Sequence, residues 1–584
     1  MNKSVFVITL AGLLLSTGLE ARGGQMVRSE VPGELVVCFE SDADQINVNE
    51  IVAGWKLETV NRDFALQSSK TILRTGRPGH AGRTHMVLIR FPQTIALAPL
   101  INRMNGIAGV KWSAPNYSYE GDPREFTPND PQYASQYHHP LLKNNLAWDT
   151  TLGDPSIIIA ITDDGYEVGH PDLAANFWTN AGETPGDAID NDGNGYVDDV
   201  NGWDFFLNNN NVAPNNASDT HGMHVAGISA ARTNNAVGVA GTAGLCRNMA
   251  VQFYASSGGS WTSAVVANAF AYSVNNGAKI INTSYNIDGF VGDSTVMAAF
   301  DYLYANGVLH FNSAGNNGQL NPPRQAFHKT LLVVNTTSAD VKSSTSNYGT
   351  GVDICAPGTS ILSTLRNNAY GSNSGTSMAA PNAAGVAALI WSAHPTWTRD
   401  QVAAQLCATC DNINAQNPTL VGLIGAGRVN SHAAVTTVLP PPKVSQTTGL
   451  PPNGGAGAPP GSTFSVKFSQ IMDSASVQNA GAFSMAGAGP DETFGTGDDL
   501  SVPLSWGSYF IGTNEVVISI GGPALGNGRY RVTANAAILT NPFGTALDGN
   551  GDGTGGDSWI STFVLCQGPT PANCGSCVAD STGN

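Results

Sequence analysis

The sequence predicts an α/β domain with a mostly parallel sheet flanked by helices, preceded by a small α+β unit and followed by an all-β sandwich. Between about residues 130 and 438, apolar strand-like runs alternate with helix-like segments, which is typical of parallel sheets. Mixed strand and helix patterns precede this stretch, and short alternating strands follow it after residue 462. A chain of 584 residues is too long for one domain, so two or three are expected.

The composition favours a soluble, exported protein. Only 12% of the residues are charged, while the 67 glycines and 32 prolines indicate loop-rich and β-rich extracellular domains. The formal net charge of -17 argues against nucleic acid and anionic membranes as partners. It suits a secreted protein that binds cations.

The first element is a predicted secretory signal at residues 1–21. A short positive start at Lys3 precedes an apolar run from Val5 to Leu15, which is too short to span a bilayer. Cleavage is expected near Ala21, and an uncleaved anchor is the alternative. No other segment has the length of a transmembrane helix, so no membrane insertion is expected.

The second element is the small α+β unit, at residues 22–125. Strand-like runs occur at Leu35–Phe39 and Met86–Phe91, a helical stretch lies near 96–104, and a last strand follows at 109–117. From the pattern alone, this unit is a plain α+β domain that stays attached.

The central α/β element places a carboxylate at the end of a strand. The apolar run Ile157–Ile161 reads as a buried strand, and it ends in Thr162-Asp163-Asp164-Gly165. Open α/β sheets build their sites at the carboxyl ends of strands. Asp163 is therefore a candidate site residue.

Two further motifs add a histidine and a serine. The segment 219–227 has the signature of a helix start with His221 near the positive end of the helix. The segment 375–381 sets Ser377 between small residues at the start of a long, Ala-rich helix. A serine becomes a nucleophile when a base takes its proton and a carboxylate orients that base. Each motif alone also has a bland interpretation as a turn, a helix cap or a loop.

Taken together in the order Asp, His, Ser, these motifs resemble those of the subtilisin-like serine peptidases. The resemblance implies a subtilisin-like fold with Ser377 as nucleophile, His221 as general base and then acid, and Asp163 as the carboxylate that orients the imidazole. A fourth segment, Asn312–Gly318, follows the apolar strand 308–311 and is similar to the family segment that carries the oxyanion-hole asparagine. That residue is Asn316, which would act with the backbone N–H of Ser377.

The same resemblance implies a substrate-binding groove. Residues 281–286 are similar to the family strand that pairs with the substrate backbone, and an extended peptide would bind there by β-augmentation. The residues predicted to form the two walls of the primary specificity pocket are Ser284, Tyr285 and Asn286 on one side and Ser313, Ala314 and Gly315 on the other.

Three residues depart from the common family pattern. Asp164 stands where a small hydroxyl residue is usual, and this variant resembles the kexin-type branch of the family. A second carboxylate there would favour a basic side chain near the scissile bond. Met223 replaces the threonine between the two histidines and changes the packing beneath the base. Asn286 replaces a glycine, so its side chain should narrow the pocket.

The flanking regions also resemble family partners. The strand at 109–117 is similar to the end of inhibitory propeptides, which implies a leader that assists folding, occupies the groove and is removed between about Tyr119 and Asp130. The C-terminal strands, including 464–468, 515–520 and 530–533, have β-sandwich spacing, and the segments 468–473 and 548–553 look like bacterial Ig-like domains. The predicted boundaries are a signal at 1–21, a propeptide at 22–125, a catalytic domain at 126–438, a Pro/Gly-rich linker or irregular domain start at 439–461, an Ig-like sandwich at 462–566 and a tail at 567–584.

Calcium is the expected cofactor. The segment 190–199 places oxygen donors at alternate positions with glycine at the sixth, as an EF-hand-type loop does, but its twelfth position is Asn201 rather than Glu. An acidic solvated loop is the alternative. A second site is implied by the family resemblance, and the C-terminal loop at 548–557 repeats the acidic pattern with Asp557 in place of the terminal Glu. The predicted calcium ligands of the first two sites are Asp190, Asp192, Asn194 and Asp198, and then Asp172 and Asn235.

The cysteines do not form a dense framework. The CxxC pairs Cys407/Cys410 and Cys574/Cys577 are expected to form local disulfides, because no His-rich segment accompanies them as in zinc sites. Cys355 is expected to be a buried small residue.

The sequence therefore predicts a secreted, calcium-stabilised serine endopeptidase that acts on protein or peptide substrates, with its own propeptide as intramolecular inhibitor. A narrow-specificity processing protease is one alternative, suggested by Asp164 and Asn286. An inactive adhesion scaffold, suggested by Met223 and the tail, is the other.

Overall fold

The structure is a computed structural model, and it describes residues 27–39, 68–75, 84–90, 97–106, 110–120, 126–254, 261–509, 512 and 514–566. The predicted signal at 1–21, the tail at 567–584 and the Cys574/Cys577 pair lie outside the described residues. The chain divides into two compact units, Met1–Arg124 and Glu125–Asn584. Among the described residues, no helix has both the length and the apolar character needed to cross a bilayer.

The N-terminal unit contains a four-stranded antiparallel sheet and one helix. Its elements are β1 (Val27–Phe39), β2 (Ser68–Thr75), β3 (Thr84–Arg90), the helix Leu97–Met104 and β4 (Val110–Glu120). The strand order is β2-β3-β1-β4. Leu35 and Val37 of β1 are buried, as are Leu100 and Met104 of the helix. The predicted strands at 35–39, 86–91 and 109–117 and the helix near 96–104 overlap β1, β3, β4 and the helix, whereas β2 was not predicted.

The second unit is built on a seven-stranded sheet in which every strand pair is parallel. Its strands are β5 (Ile158–Asp163), β6 (Gly202–Asp204), β7 (Arg247–Gln252), β8 (Ile280–Thr283), β9 (Leu309–Ser313), β10 (Leu331–Thr336) and β11 (Ile354–Pro357). The order is β11-β10-β9-β8-β5-β7-β6. An antiparallel hairpin of β12 (Ile361–Leu365) and β13 (Ala369–Asn373) follows. The predicted α/β class is confirmed.

Helices cover both faces of this sheet. The α-helices of the region are His138–Leu142, Asn144–Ala147, His221–Ala230, Ser263–Asn275, Ser294–Ala305, Thr376–Ala393, Arg399–Ala408 and Ser431–Thr436. Successive β5 residues alternate between the two cores, because side chains of a strand point to opposite faces. Ile159 and Ile161 pack with the 221–230 and 376–393 helices, whereas Ala160 packs with the 263–275 and 294–305 helices.

The C-terminal region consists of two small sheets around one core. Its elements are β14 (Val444–Thr448), β15 (Ala456–Gly457), β16 (Thr463–Phe468), the helix Ser474–Gln478, β17 (Phe483–Gly487), β18 (Leu500–Val502), β19 (Leu504–Trp506), β20 (Glu515–Ile520), β21 (Gly528–Ala534) and β22 (Trp559–Leu565). The sheet orders are β14-β16-β20-β19 and β15-β22-β21-β17-β18. Both β14 and β15 lie within residues 439–461, the stretch predicted as a linker or an irregular domain start.

The cysteine prediction is wrong for the first CxxC pair. Cys407 and Cys410 are free thiols. Cys407 lies in the last turn of the Arg399–Ala408 helix, while the Cys410 thiol donates back to the carbonyl of Leu406 at 3.3 Å. At this helix end, the Cys410 thiol therefore bonds to the Leu406 carbonyl and not to Cys407. Cys355 is fully buried, as predicted, and Cys566 is disulfide-bonded.

Candidate active site

The three predicted catalytic residues stand at the ends of three regular elements. Asp163 is the last residue of β5, His221 is the first residue of the His221–Ala230 helix, and Ser377 is the second residue of the Thr376–Ala393 helix. Strand ends and helix starts hold side chains on rigid backbone, which favours a preorganised site.

Asp163 and His221 form a close pair. The imidazole Nδ1 lies 2.8 Å from Asp163 Oδ1 and 2.9 Å from Oδ2. Asp163 is completely buried, whereas the His221 side chain is 29% exposed. The pair therefore has the geometry in which a buried carboxylate fixes one ring nitrogen and leaves the other for chemistry.

Electrostatics favour the charged imidazole. Burial alone would lower the pKa of His221, but the Asp163 carboxylate, with a further contribution from Asp164, raises this pKa to about 8. A proton taken from a nucleophile is therefore stabilised on the ring.

Tyr254 contacts the same carboxylate and was missed in the sequence. Its hydroxyl donates to Asp163 Oδ1 at 3.0 Å, and the backbone N–H of Asp164 donates to the same oxygen at 2.9 Å. Burial and the nearby Asp163 charge raise the pKa of Tyr254 well above its ordinary value, so the phenol keeps its proton. No sequence signal marks Tyr254, because it lies two residues past the end of β7.

Asp164 caps the histidine helix. Its Oδ1 accepts from the backbone N–H of Gly222 at 2.7 Å and its Oδ2 from that of His221 at 3.2 Å. Such caps satisfy the free N–H groups of a first helical turn. Asp164 is 1% exposed, so both carboxylate oxygens serve the helix. The expected interaction with a basic substrate side chain is therefore not supported by the position of this carboxylate.

Ser377 is tied to the predicted substrate strand by two reciprocal hydrogen bonds. Its Oγ donates to the carbonyl of Ser284 at 2.8 Å, and the Ser284 hydroxyl donates to the carbonyl of Ser377 at 3.0 Å. The Ser377 carbonyl needs a partner because Pro381, four residues later in the helix, has no N–H. Within the described residues, the Ser377 hydroxyl donates to the carbonyl of Ser284 rather than to His221. Such an arrangement is common before substrate binds.

Asn316 is exposed and held by the turn before Ser377. Its Oδ1 accepts from the backbone N–H of Thr376 at 2.9 Å and from the Thr376 hydroxyl at 3.0 Å. Two donors to one amide atom fix that atom as oxygen. The Nδ2 group of Asn316 then has no acceptor among the described residues, which is the arrangement that an oxyanion hole requires.

The structure brings the two predicted pocket walls together. Ser284–Asn286 directly follow β8, and Ser313 ends β9, the neighbouring strand. Asn312 links the two walls, because its Nδ2 donates to the carbonyls of Thr283 at 2.7 Å and Tyr285 at 3.0 Å. Arg324, which sequence reasoning missed, contacts both walls.

Met223 is a core residue of the His221–Ala230 helix. It is fully buried in the core, and its sulfur accepts the backbone N–H of Glu167 at 3.1 Å. The departure from the family pattern is therefore accommodated as packing.

The acidic loop at 190–199 brings most of its predicted ligands together. Glu183, Asp190 and Asp192 present carboxylate oxygens within 4.8 Å of one another, and the Asn194 amide donates to Asp192 at 3.1 Å. Asp198 instead accepts the backbone N–H groups of Gly186 at 2.7 Å and Ala188 at 3.0 Å. Glu183 takes the place of Asp198 in this group of carboxylates. Because Glu183 lies upstream of the 190–199 loop, the spacing of residues within the loop could not reveal it.

Asp172 and Asn235 also meet. Asn235 Nδ2 donates to Asp172 Oδ1 at 2.8 Å, and the N–H of Val239 donates to Oδ2 at 2.8 Å. Asp130 is a second buried carboxylate here: its Oδ2 accepts the N–H of Asn234, while its Oδ1 has no partner among the described residues. Burial raises the pKa of Asp172 to about 6.

A third acidic group lies in the C-terminal region. Asp548, Asp552 and Asp557 have carboxylate oxygens within 4.8 Å of one another, which brings together the loop residues predicted from sequence.

Comparisons with known proteins identify one family. The Subtilase family matches residues 154–427. Thermitase from Thermoactinomyces vulgaris is 38% identical over 53% of this chain and 99% of its own length. A thermophilic serine proteinase from Bacillus sp. strain AK1 is 34% identical over 70% of this chain and 88% of its own length. An extracellular protease from Xanthomonas campestris pv. campestris is 34% identical over 54% of this chain and 57% of its own length.

Proposed function

The chain belongs to the subtilase family and is a serine endopeptidase, and on this premise we propose that Ser377, His221 and Asp163 carry out its chemistry. The observation that supports these roles most directly is the buried Asp163 carboxylate within 2.9 Å of His221 Nδ1 through both oxygens. That contact fixes the imidazole with Nε2 as the proton acceptor.

The proposed reaction proceeds in two steps. Ser377 Oγ attacks the peptide carbonyl carbon while His221 Nε2 takes the hydroxyl proton, and His221 then gives that proton to the leaving amine. Asn316 Nδ2 and the Ser377 N–H donate to the oxyanion in between. Water, activated by the same imidazole, then hydrolyses the ester that links the acyl group to Ser377.

A fluorophosphonate probe and a fluorogenic peptide test this assignment. The wild type should be labelled once per chain and should hydrolyse the peptide, whereas Ser377→Ala should lose both properties. Ser374→Ala is a matched control, because that hydroxyl only accepts the backbone N–H of Ser360 at 2.8 Å. Labelling that persists in Ser377→Ala would contradict the role of Ser377.

Secretion and self-processing belong to the same proposal. The apolar run after Lys3 and a relative named as an extracellular protease support export. Intact mass of the wild type beside Ser377→Ala tests processing: the wild type should lose its leader between Tyr119 and Asp130, and the variant should keep it. Equal masses would contradict self-cleavage.

Stabilisation by calcium is the third part of the proposed function. Asp130 and Asp172 would hold one ion, since Asp130 Oδ1 is a buried carboxylate oxygen without a partner among the described residues. Glu183, Asp190 and Asp192 would hold another. Bound calcium would stabilise these loops, not take part in hydrolysis. Calcium should raise the melting temperature of Ser377→Ala, and Asp130→Asn should reduce that increase; equal melting with calcium and with chelator would contradict the proposal.

The narrow processing protease remains an alternative that Asn286 supports, and cleavage of a peptide library separates broad from narrow specificity. The inactive scaffold is the other alternative, and a folded wild type that the fluorophosphonate probe fails to label would favour it.

A further inference from the structure

A buried arginine lies between the two walls of the predicted pocket. Arg324 belongs to the short 3-10 turn Pro323–Ala326, and its side chain is 2% exposed. A buried guanidinium is costly unless its charge is paired and its N–H groups have acceptors. The partners of Arg324 therefore explain why it is there.

All five guanidinium N–H groups have acceptors. Nε donates to Asp288 Oδ1 at 2.9 Å, and Nη2 donates to Asp288 Oδ2 at 2.8 Å and to Asn286 Oδ1 at 2.5 Å. Nη1 donates to the carbonyl of Ser313 at 2.6 Å and to Asn312 Oδ1 at 3.3 Å. Since arginine has five such donors, none is left for a substrate.

These contacts join opposite walls. Asn286 belongs to the wall after β8, and Ser313 belongs to the wall at the end of β9. A Cβ atom placed on Gly315 would lie only 3.2 Å from Arg324 Nη2, so the guanidinium also reaches that residue. The planar group thus occupies the space between the walls that a large substrate side chain would need.

The charge of Arg324 is neutralised where it lies. Burial would raise the pKa of Asp288, but hydrogen bonds and the charge of Arg324 lower it overall, so the carboxylate stays ionised beside the guanidinium. The pair has no net charge. The pocket is therefore expected to select by size rather than by charge.

We propose that Arg324, held by Asp288, forms the floor of the primary specificity pocket and limits the residue before the scissile bond to a small side chain such as Gly, Ala or Ser. The inference rests on the proposed function of the same groove. Arg324 is thereby a specificity-determining residue, and Asp288 is the residue that positions it.

Peptide-library cleavage by the wild type is the first test. Fluorophosphonate labelling of the same sample separates the two proposals: an unlabelled, inactive protein contradicts the proposed function. A labelled enzyme that cleaves after Phe, Leu, Arg or Glu as readily as after Ala overturns the role of Arg324. We expect cleavage after small residues to exceed cleavage after large ones by about tenfold or more in kcat/KM.

Two variants test the cause. Arg324→Ala/Asp288→Asn removes both charges together, so that no unpaired ion is left buried, and it should raise kcat/KM for a Phe substrate relative to an Ala substrate by about tenfold. Asn286→Gly leaves the ion pair between Arg324 and Asp288 intact. It should raise the same Phe/Ala ratio of kcat/KM, but by less than the double variant does. An unchanged Phe/Ala ratio in folded variants would contradict the proposal, and the wild-type profile decides it if the double variant does not fold.

Arg428→Ala/Asp340→Asn is the matched control. Arg428 is also buried and ion-paired with Asp340, but it lies between that residue and Asp411. This double variant should lower the stability of the protein without changing the ratio of kcat/KM for the Phe and Ala substrates. A similar ratio change in this control would assign the effect to general loosening and overturn the inference.

Discussion

At the residue scale, Asp163 accepts more hydrogen bonds than a triad needs. The Tyr254 hydroxyl and the Asp164 N–H both donate to Oδ1, the oxygen that also lies 2.8 Å from His221. Each donor stabilises the carboxylate and reduces its attraction for a proton on the imidazole. We therefore expect Tyr254 to lower the pKa of His221 through Asp163.

Tyr254→Phe should raise the pKa of His221 above its value of about 8. Hydrolysis needs the neutral imidazole, so kcat/KM rises with pH through this pKa, and the acid limb of the profile should move to higher pH by about half a unit to one unit. The pH profile of kcat/KM measures the shift.

Tyr272→Phe is the control for that profile, because its hydroxyl donates to Asp199 at 2.7 Å. An acid limb that stays in place in Tyr254→Phe, or moves equally in the control, would contradict the tuning role.

Residues within recognisable motifs could be singled out from the sequence, and their site roles stay predictions, whereas residues that only the fold brings to the site could not be singled out. Asp163, His221, Ser377 and Asn316 stand within recognisable segments. Tyr254 and Arg324 reach the site from an irregular stretch and a short turn, where no hydrophobic period marks the direction of a side chain.

At the scale of elements, a proline inside a helix leads to a hydrogen bond between Ser377 and the predicted substrate strand. Pro381 leaves the Ser377 carbonyl without its N–H partner four residues on, and the Ser284 hydroxyl fills that place at 3.0 Å. The helix start and the end of β8 are therefore coupled through one carbonyl group.

Ser284→Ala should lower the free energy of unfolding by about 1–3 kcal/mol, because a carbonyl loses its partner. Pro381→Ala in the same chain should restore part of that loss, since the new N–H can donate to Ser377. Thermal unfolding in a Ser377→Ala background, which removes self-digestion, measures both effects. If Pro381→Ala makes Ser284→Ala less stable still, the compensation is contradicted.

The strands and helices themselves were largely predictable, because long apolar runs and Ala-rich segments fix their type. The Ala-rich stretch that contains Ser377, for example, forms the long helix Thr376–Ala393. The loop 190–199 was harder, because loop spacing cannot find Glu183, which joins Asp190 and Asp192 from outside the motif.

At the scale of the second unit, the catalytic and C-terminal cores are separate but touch. Trp397 and Phe543 lie with ring centroids 4.8 Å apart in an edge-to-face arrangement, and Gln401 donates to the carbonyl of Pro542 at 3.2 Å. A cavity of about 930 Å³ also lies between the two regions. Because the two cores are separate clusters of buried residues, we expect two unfolding transitions.

Phe543→Ala should lower the first of these transitions by a few degrees and leave the second unchanged. The contact between Trp397 and Phe543 is broken when the first of the two cores unfolds. The energy of this contact therefore contributes only to the first transition. Calorimetry of Ser377→Ala chains measures this, with Phe494→Ala as control, since that ring contacts Arg531 within the C-terminal region. Equal shifts of both transitions would contradict the prediction.

The Thr376–Ala393 helix restricts how this chain can change over evolutionary time. Its residues Met378–Trp391 are buried, and a Cβ atom on Gly385 would lie 2.6 Å from Cβ of Thr242. A larger residue there requires a simultaneous change in a second element. A single substitution by a larger residue at Gly385 is therefore costly, because the helix that carries Ser377 packs directly against that second element.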